Sequence, residues 1–212
     1  MIQISNWYGR LGNNIIQLAN AIDIGVSHNK SEVVVPEHRF LIGTKLYGDD
    51  DTIMSGEFYY EKVHNRNTTL PILKKCFNGE MLPPIVFPKK NEIICYIRSG
   101  DKDSHSDYID QPTFNFYSEI IDYGKYDSVR IISEDYKSPV INQLVDKYNA
   151  IYQKQTLEKD IAYIMNCEAI TFGYSTFAPS LLLFNEKIKP NHIYPYPRAE
   201  KDFPIIKTLL NK

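Results

Sequence analysis

"IQISNWYGRLGNNIIQLANA", residues 2–21, sets the reading of the chain. Ile2 and Ile4 alternate with polar residues as a short strand does. Gly9 and Gly12 mark a turn, after which Ile15, Ile16, Leu18, Ala19, Ile22 and Val26 recur at helical spacing and predict one broad apolar face. "EVVVP", 32–36, supplies a second strand, so the opening is βαβ-like. A glycine-rich strand-to-helix turn can cradle a phosphate on backbone N–H groups, yet this spacing fits neither GxGxxG nor a P-loop.

Outward from this unit the pattern fades and returns. "YGDDD" (47–51), "HNRNTT" (64–69) and "MLPPIVFPKK" (81–90) read as loops, and Pro83 to Pro88 reads as a linker. Beyond it, strands are predicted at 92–97, 128–133, 169–172 and 192–195, alternating with helices at 113–124, 139–148, 157–166, 176–184 and 201–211. Ser138 before Pro139 is a sound helix start. Such alternation implies a parallel, doubly wound α/β sheet. Two unequal lobes follow, residues 1–88 and 89–212, with a cleft between them.

Composition narrows the partners. The 212 residues carry 24 basic and 26 acidic side chains, a net charge of −2, which argues against a nucleic-acid surface and for a small molecule. Cys76, Cys95 and Cys167 are odd in number and far apart, so neither a disulfide framework nor a zinc site is expected. A reducing, cytoplasmic setting fits them. The stretch "MIQISNWYGR" lacks a basic region followed by a long apolar run, and no window approaches a membrane span. The five histidines show no metal-binding spacing. Sixteen tyrosines and ten phenylalanines offer rings to bases and sugar faces.

Ligands of an open parallel sheet gather beyond the carboxyl ends of its strands. After "EIICYI" come Arg98, Ser99, Gly100 and Asp101, where a guanidinium can grip a diphosphate with two parallel bonds or pair with a nearby carboxylate. After "SVRII" come Ser133, Glu134 and Asp135, a helix cap or a ligand site. After "AITF" come Gly173, Tyr174, Ser175, Thr176 and Phe177, a hydroxyl pair that can serve an anion or cap a helix. Asp160 lies on an otherwise core-facing helix; it is a solvated charge or, at a lobe interface, an acceptor for the N1–H and exocyclic amine of guanine. The run Asp49 to Asp51 could hold a divalent cation or simply form a turn.

Taken in order, these stretches resemble the fucosyltransferases, above all the alpha-1,2 family with its alpha-1,6 and protein O-fucosyltransferase relatives. "GRLGNNIIQLA" (9–19) is similar to the family's GRLGNQMGQYA, "YIRSGD" (96–101) to HxRRGD, and "SED" (133–135) to SDD. "DIAYIMNCEAITFGYSTF" (160–177) is similar to its late motif ending in NSTF. The resemblance implies a GT-B architecture of two Rossmann-like lobes, 1–88 on the acceptor side and 89–212 binding the nucleotide sugar, and inverting transfer of fucose from GDP-fucose to a glycan hydroxyl, with no obligatory metal or cofactor. It implies that Arg98 binds the diphosphate and promotes its departure, and that Ser175, Thr176 and Phe177 hold the beta-phosphate. It further implies that Asp160 reads guanine, that Tyr96 and Asp135 lie in the donor site, and that Gly12 and Asn13 wall the cleft.

The departures are specific. Tyr96 stands where the family has histidine, Ser99 where it has a second arginine, Tyr174 where it has asparagine, and Pro179 and Ser180 where a tryptophan pair is common. The first lobe is short. The sugar could therefore be another GDP-hexose, and the nearest general-base choices are Asp101 and the Asp49 to Asp51 run. A metal-dependent GT-A enzyme and a non-catalytic nucleotide- or sugar-binding module are the rival readings.

Overall fold

A computed structural model describes residues 1–60, 62–83, 88–98 and 111–210. The first half builds β1 (Ile2–Ile4), α1 (Leu11–Ser27), β2 (Glu32–Val34), β3 (Thr44–Lys45), β4 (Met54–Gly56) and α2 (Thr69–Lys75). The second builds β5 (Glu92–Tyr96), α3 (Phe114–Gly124), β6 (Ser128–Ile132), α4 (Pro139–Tyr148), β7 (Ile151–Tyr152), α5 (Leu157–Asn166), β8 (Ala169–Phe172), α6 (Phe177–Leu182), β9 (Ile193–Pro195), α7 (Pro197–Asp202) and α8 (Pro204–Leu210).

The first sheet has the order β3-β2-β1-β4. β1 runs parallel to β2 and β4, with Ile2 opposite both Val33 and Met54, but β3 is antiparallel to β2. This sheet is mixed where a purely parallel one was expected. The connection 35–43 holds no helix to carry the chain back for a parallel pairing. The second sheet, β7-β6-β5-β8-β9, is parallel throughout and meets the expectation of an α/β fold of Rossmann-like class. Its central strands β5 and β8 are almost wholly buried because helices cover both faces. Ile93, Cys95 and Ile97 pack with Tyr117 and Ile121 of α3 and with Ile141 and Leu144 of α4. Ile94, Ile170 and Phe172 belong to a second cluster that continues through α5 and α6 into α1 and β1.

That shared core makes α1 buried nearly all round, not along one stripe, and leaves Val26 exposed outside it. The sheets fall on either side of residue 88, yet α8 is tied back to the first half: His64 N–H donates to Thr208 Oγ1 at 3.0 Å, and Arg66 donates to the Thr208 and Leu209 carbonyls at 2.8 and 3.1 Å.

Three local expectations change. The helix predicted over 201–211 starts earlier and breaks at Phe203, whose extended backbone is what a following proline demands; Pro204 then opens α8. Ser138 occupies the cap position of α4 without a side-chain cap bond. β7, too short to show alternation, was invisible in the sequence. The linker expected at 83–88 lies largely outside the described residues. Among the described residues no helix is long and apolar enough to cross a membrane, and all three cysteines are free and buried.

Candidate functional site

Strand order in the second sheet reverses between β5 and β8, and at such a switch point the helices part beyond the carboxyl ends of the strands. Tyr96 and Arg98 stand at the end of β5, Ser133 to Asp135 after β6, Tyr152 at the end of β7, and Gly173 to Phe177 after β8. Asp160 sits in the first turn of α5. Ser99, Gly100, Asp101 and His105 lie outside the described residues.

The first half reaches this edge through the start of α1. Gly9 has φ +69°, a left-handed turn that glycine adopts without strain. Gly12 is required for a different reason: a Cβ there would stand 2.8 Å from the backbone of Phe177. At that contact Ser180 Oγ donates to the Gly12 carbonyl at 3.0 Å and Thr176 Oγ1 donates to Asn13 Oδ1 at 2.7 Å. Arg10 Nη1 donates to Glu134 Oε2 at 3.1 Å. Where α1 meets α6, the expected cleft is therefore closed by direct packing.

The hydroxyls that the sequence offers to an anion are engaged within the protein. Ser175 Oγ accepts from the Phe177 N–H at 3.1 Å, and the Tyr96 hydroxyl shares a hydrogen bond with the Ser175 side chain. The Tyr96 ring lies 5.5 Å from that of Phe177, and burial pushes its phenol up to about 12. The Arg98 charge acts on that same phenol.

A second group gathers toward β7. Burial, aided by the Glu158 carboxylate, pushes Asp160 up to about 7. The charge of Asp160 reaches both Tyr96 and Tyr152. Burial pushes the Tyr152 phenol up to about 12, and its buried oxygen has no hydrogen-bond partner among the described residues. Tyr136 meets Tyr152 edge to face at 4.1 Å, and Asp135 acts on the same phenol. The half-buried Asp160 carboxyl and the orphaned Tyr152 hydroxyl, which the Asp160 charge reaches, are hydrogen-bonding capacity that a ligand could use. Tyr136 and Tyr152 carry no motif, and sequence reading passed over them.

It also missed the amides on α1. Asn14, Gln17 and Asn20, three residues apart, are buried and face loops rather than core. Gln17 Nε2 donates to the carbonyls of Asn6 (3.0 Å) and Glu57 (2.6 Å), while its Oε1 accepts from the Tyr8 N–H at 2.7 Å. Asn14 Nδ2 donates to the Tyr8 carbonyl at 3.0 Å, and Asn20 Nδ2 to those of Phe58 and Tyr60 at 2.8 and 2.7 Å. Uncharged amides recurring every three residues inside an apolar helix were the readable signal.

Other candidates lie elsewhere. Asp50 and Thr52 carbonyls accept from the amino group of Met1, which puts the Asp49 to Asp51 run at the amino edge of the first sheet, opposite the crevice. Asp50 pairs with Lys30 at 2.7 Å and is held well below the usual carboxylate range by that bond; Asp49 accepts from Asn29. Among the described residues no three His, Cys, Asp or Glu side chains converge to hold a metal. A cavity of about 500 Å³ opens between α2 and the far end of α6, lined by Arg66, Lys74, Lys75, Leu182 and Glu186 among others. Its Lys74 pairs with Glu186 at 2.9 Å.

Strand order and the side chains at the strand ends together define an α/β protein with Rossmann-type strand order and a polar, partly desolvated switch point. No family model, no curated protein and no solved structure matches the chain.

Proposed function

We propose that the chain is an inverting glycosyltransferase of GT-B type that moves a sugar, most simply L-fucose from GDP-fucose, to a hydroxyl of a glycan. One observation carries this reading: the four motif segments, remote in sequence, converge on one strand edge. Gly12 and Asn13 touch Phe177 and Thr176, Arg10 reaches Glu134, Tyr96 bonds Ser175, and the Asp160 charge reaches Tyr96.

In this reading Arg98 neutralises the departing diphosphate, since in-line attack on the anomeric carbon builds negative charge there. Asp160, ionised, accepts the N1–H and amine of guanine, and the Tyr152 hydroxyl supplies a further bond beside it. Ser175 and Thr176 act by fixing Tyr96 and Asn13. The crevice is remote from Asp49 and Asp51, so the reading gives these residues no part in donor binding and needs no metal there.

A thermal-shift comparison of GDP, UDP and ADP tests it. At a hundred times its dissociation constant a ligand adds about 2.7 kcal/mol, roughly 5–10 °C for a chain of this size. GDP is expected to give such a shift at concentrations where UDP and ADP give little. Equal shifts would remove the guanine assignment.

A further inference from the structure

We propose a carbohydrate-binding platform, formed by Tyr8 and Tyr59, on the first-half side of the crevice. The inference rests on the glycosyltransferase reading for its occupant, the pyranose ring of a neutral acceptor saccharide; its geometry stands without that reading. Tyr8 follows β1 and Tyr59 follows β4, two adjacent parallel strands, so both rings rise from the carboxyl edge of the first sheet. Tyr8 is half exposed, and its ring lies 4.5 Å from that of Tyr59 with a 34° tilt. Tyr8 precedes Gly9 and Arg10, and Arg10 contacts Glu134 of the donor edge, so the ring pair stands within a few residues' reach of the crevice.

The loops that carry the rings are built to be rigid. Gln17 clamps Asn6, Tyr8 and Glu57, Asn14 adds a second bond to Tyr8, and Asn20 holds Phe58 and Tyr60, all from inside the core. Phe58 is held at φ +53°, a left-handed backbone that a bulky residue adopts only under constraint. Three buried amides and a strained phenylalanine are a high outlay for two surface loops unless the position of what they carry matters. They carry an aromatic face with hydroxyl tips, beside the exposed polar residues Asn6 and Glu57. A pyranose matches it: its axial C–H groups pack on a ring face while its hydroxyls meet the polar rim.

Saturation-transfer NMR with lactose, with methyl β-galactoside and with the acyclic polyol sorbitol as control, each with and without saturating GDP, tests the proposal. Transfer to C–H protons on one pyranose face of either saccharide, and not to sorbitol, is expected. Tyr8→Ala and Tyr59→Ala should weaken binding at least fivefold, and Tyr8→Phe should keep it within about twofold, since the ring and not the hydroxyl makes the stack. All three variants should keep the wild-type GDP shift, which also shows that they fold. No transfer to either saccharide in any condition, or unchanged affinity in both alanine variants, overturns the platform. Failure of the GDP shift in the wild type instead overturns the donor reading and leaves the saccharide result readable.

Discussion

The two sheets reach their stability by different means. In the second, apolar strands run parallel between two helix layers, and a buried ion pair is braced within the sheet: Arg130 meets Glu92 at 3.2 Å, Ser128 Oγ donates to the same carboxylate, and Arg130 lies over the Tyr163 ring at 4.4 Å. In the first, a small mixed sheet leans on one helix whose buried amides bond to loop carbonyls. The second half is a scaffold whose chemistry stands at its strand ends. The first half spends core volume on placing two loops.

The largest stability effect should come from breaking the scaffold. Glu92→Ala leaves Arg130 buried without its carboxylate, a change that typically costs about 3–5 kcal/mol. Urea unfolding is expected to show it as a lower midpoint with unchanged slope. A loss below about 1 kcal/mol would mean that water reaches Arg130 and that the second sheet is less sealed than its packing implies. Next comes Arg98→Ala, expected to keep the fold and to lower GDP-fucose turnover about a hundred- to a thousand-fold. Lysine should not rescue it, lacking the planar fork that meets two oxygens at once. Turnover within about threefold of wild type would separate the motif from the chemistry.

This contrast explains what could be read in advance. Strands 92–97 and 169–172 announce themselves because burial on both faces demands continuous apolar runs, and 128–133 because buried Val129, Ile131 and Ile132 flank the paired Arg130. β3 and β4 do not, since Thr44–Lys45 and Met54–Gly56 are short and half exposed, and their pairing depends on loops held from elsewhere. At the site, Arg98, Asp160 and Ser175 were legible as polar residues following strands or opening a helix. Tyr152 was not, because an orphaned hydroxyl is a property of its surroundings and no residue pattern encodes it.

Gln17→Leu probes the other half. It leaves the Tyr8 N–H and the Asn6 and Glu57 carbonyls without their partner, and an unsatisfied buried group costs about 1–3 kcal/mol. Loops can turn to water where a core cannot, so the loss should fall at the low end while Tyr8 amide exchange quickens. Unchanged exchange would deny the clamp.

Protonation sharpens the comparison further. Asp160 is raised to about 7, so its contribution is present below the unfolded carboxyl value and is lost as pH rises through 7. His64 in the first half runs the other way. Burial lowers it to about 4, so stability falls as pH drops from 6.5 toward 4. Its Nε2 donates to Asn20 Oδ1 at 2.8 Å, because the Asn20 amide is already donating to Phe58 and Tyr60, and its buried Nδ1 has no hydrogen-bond partner among the described residues. Asp160→Asn should therefore raise Tm more at pH 8 than at pH 5, while in the wild type GDP binding should strengthen through pH 7 as the carboxylate forms. A gap independent of pH would place Asp160 in water.

The smallest effect is expected where the halves are joined by charge. Arg10 and Glu134 stand at 3.1 Å, nearly the separation of Arg130 and Glu92, but their side chains are 70% and 56% exposed. In water the attraction is screened and two long side chains must be held still, so such pairs contribute about 0–1 kcal/mol. A double-mutant cycle on Arg10→Ala and Glu134→Ala should give a coupling in that range, smaller still at high salt, while the halves stay joined through Gly12, Asn13 and α6. A coupling above about 2 kcal/mol, persisting in salt, would show this edge to be drier than its exposure implies. It would then make Arg10 a charge available to the diphosphate beside Arg98, and Arg10→Ala should also weaken GDP binding.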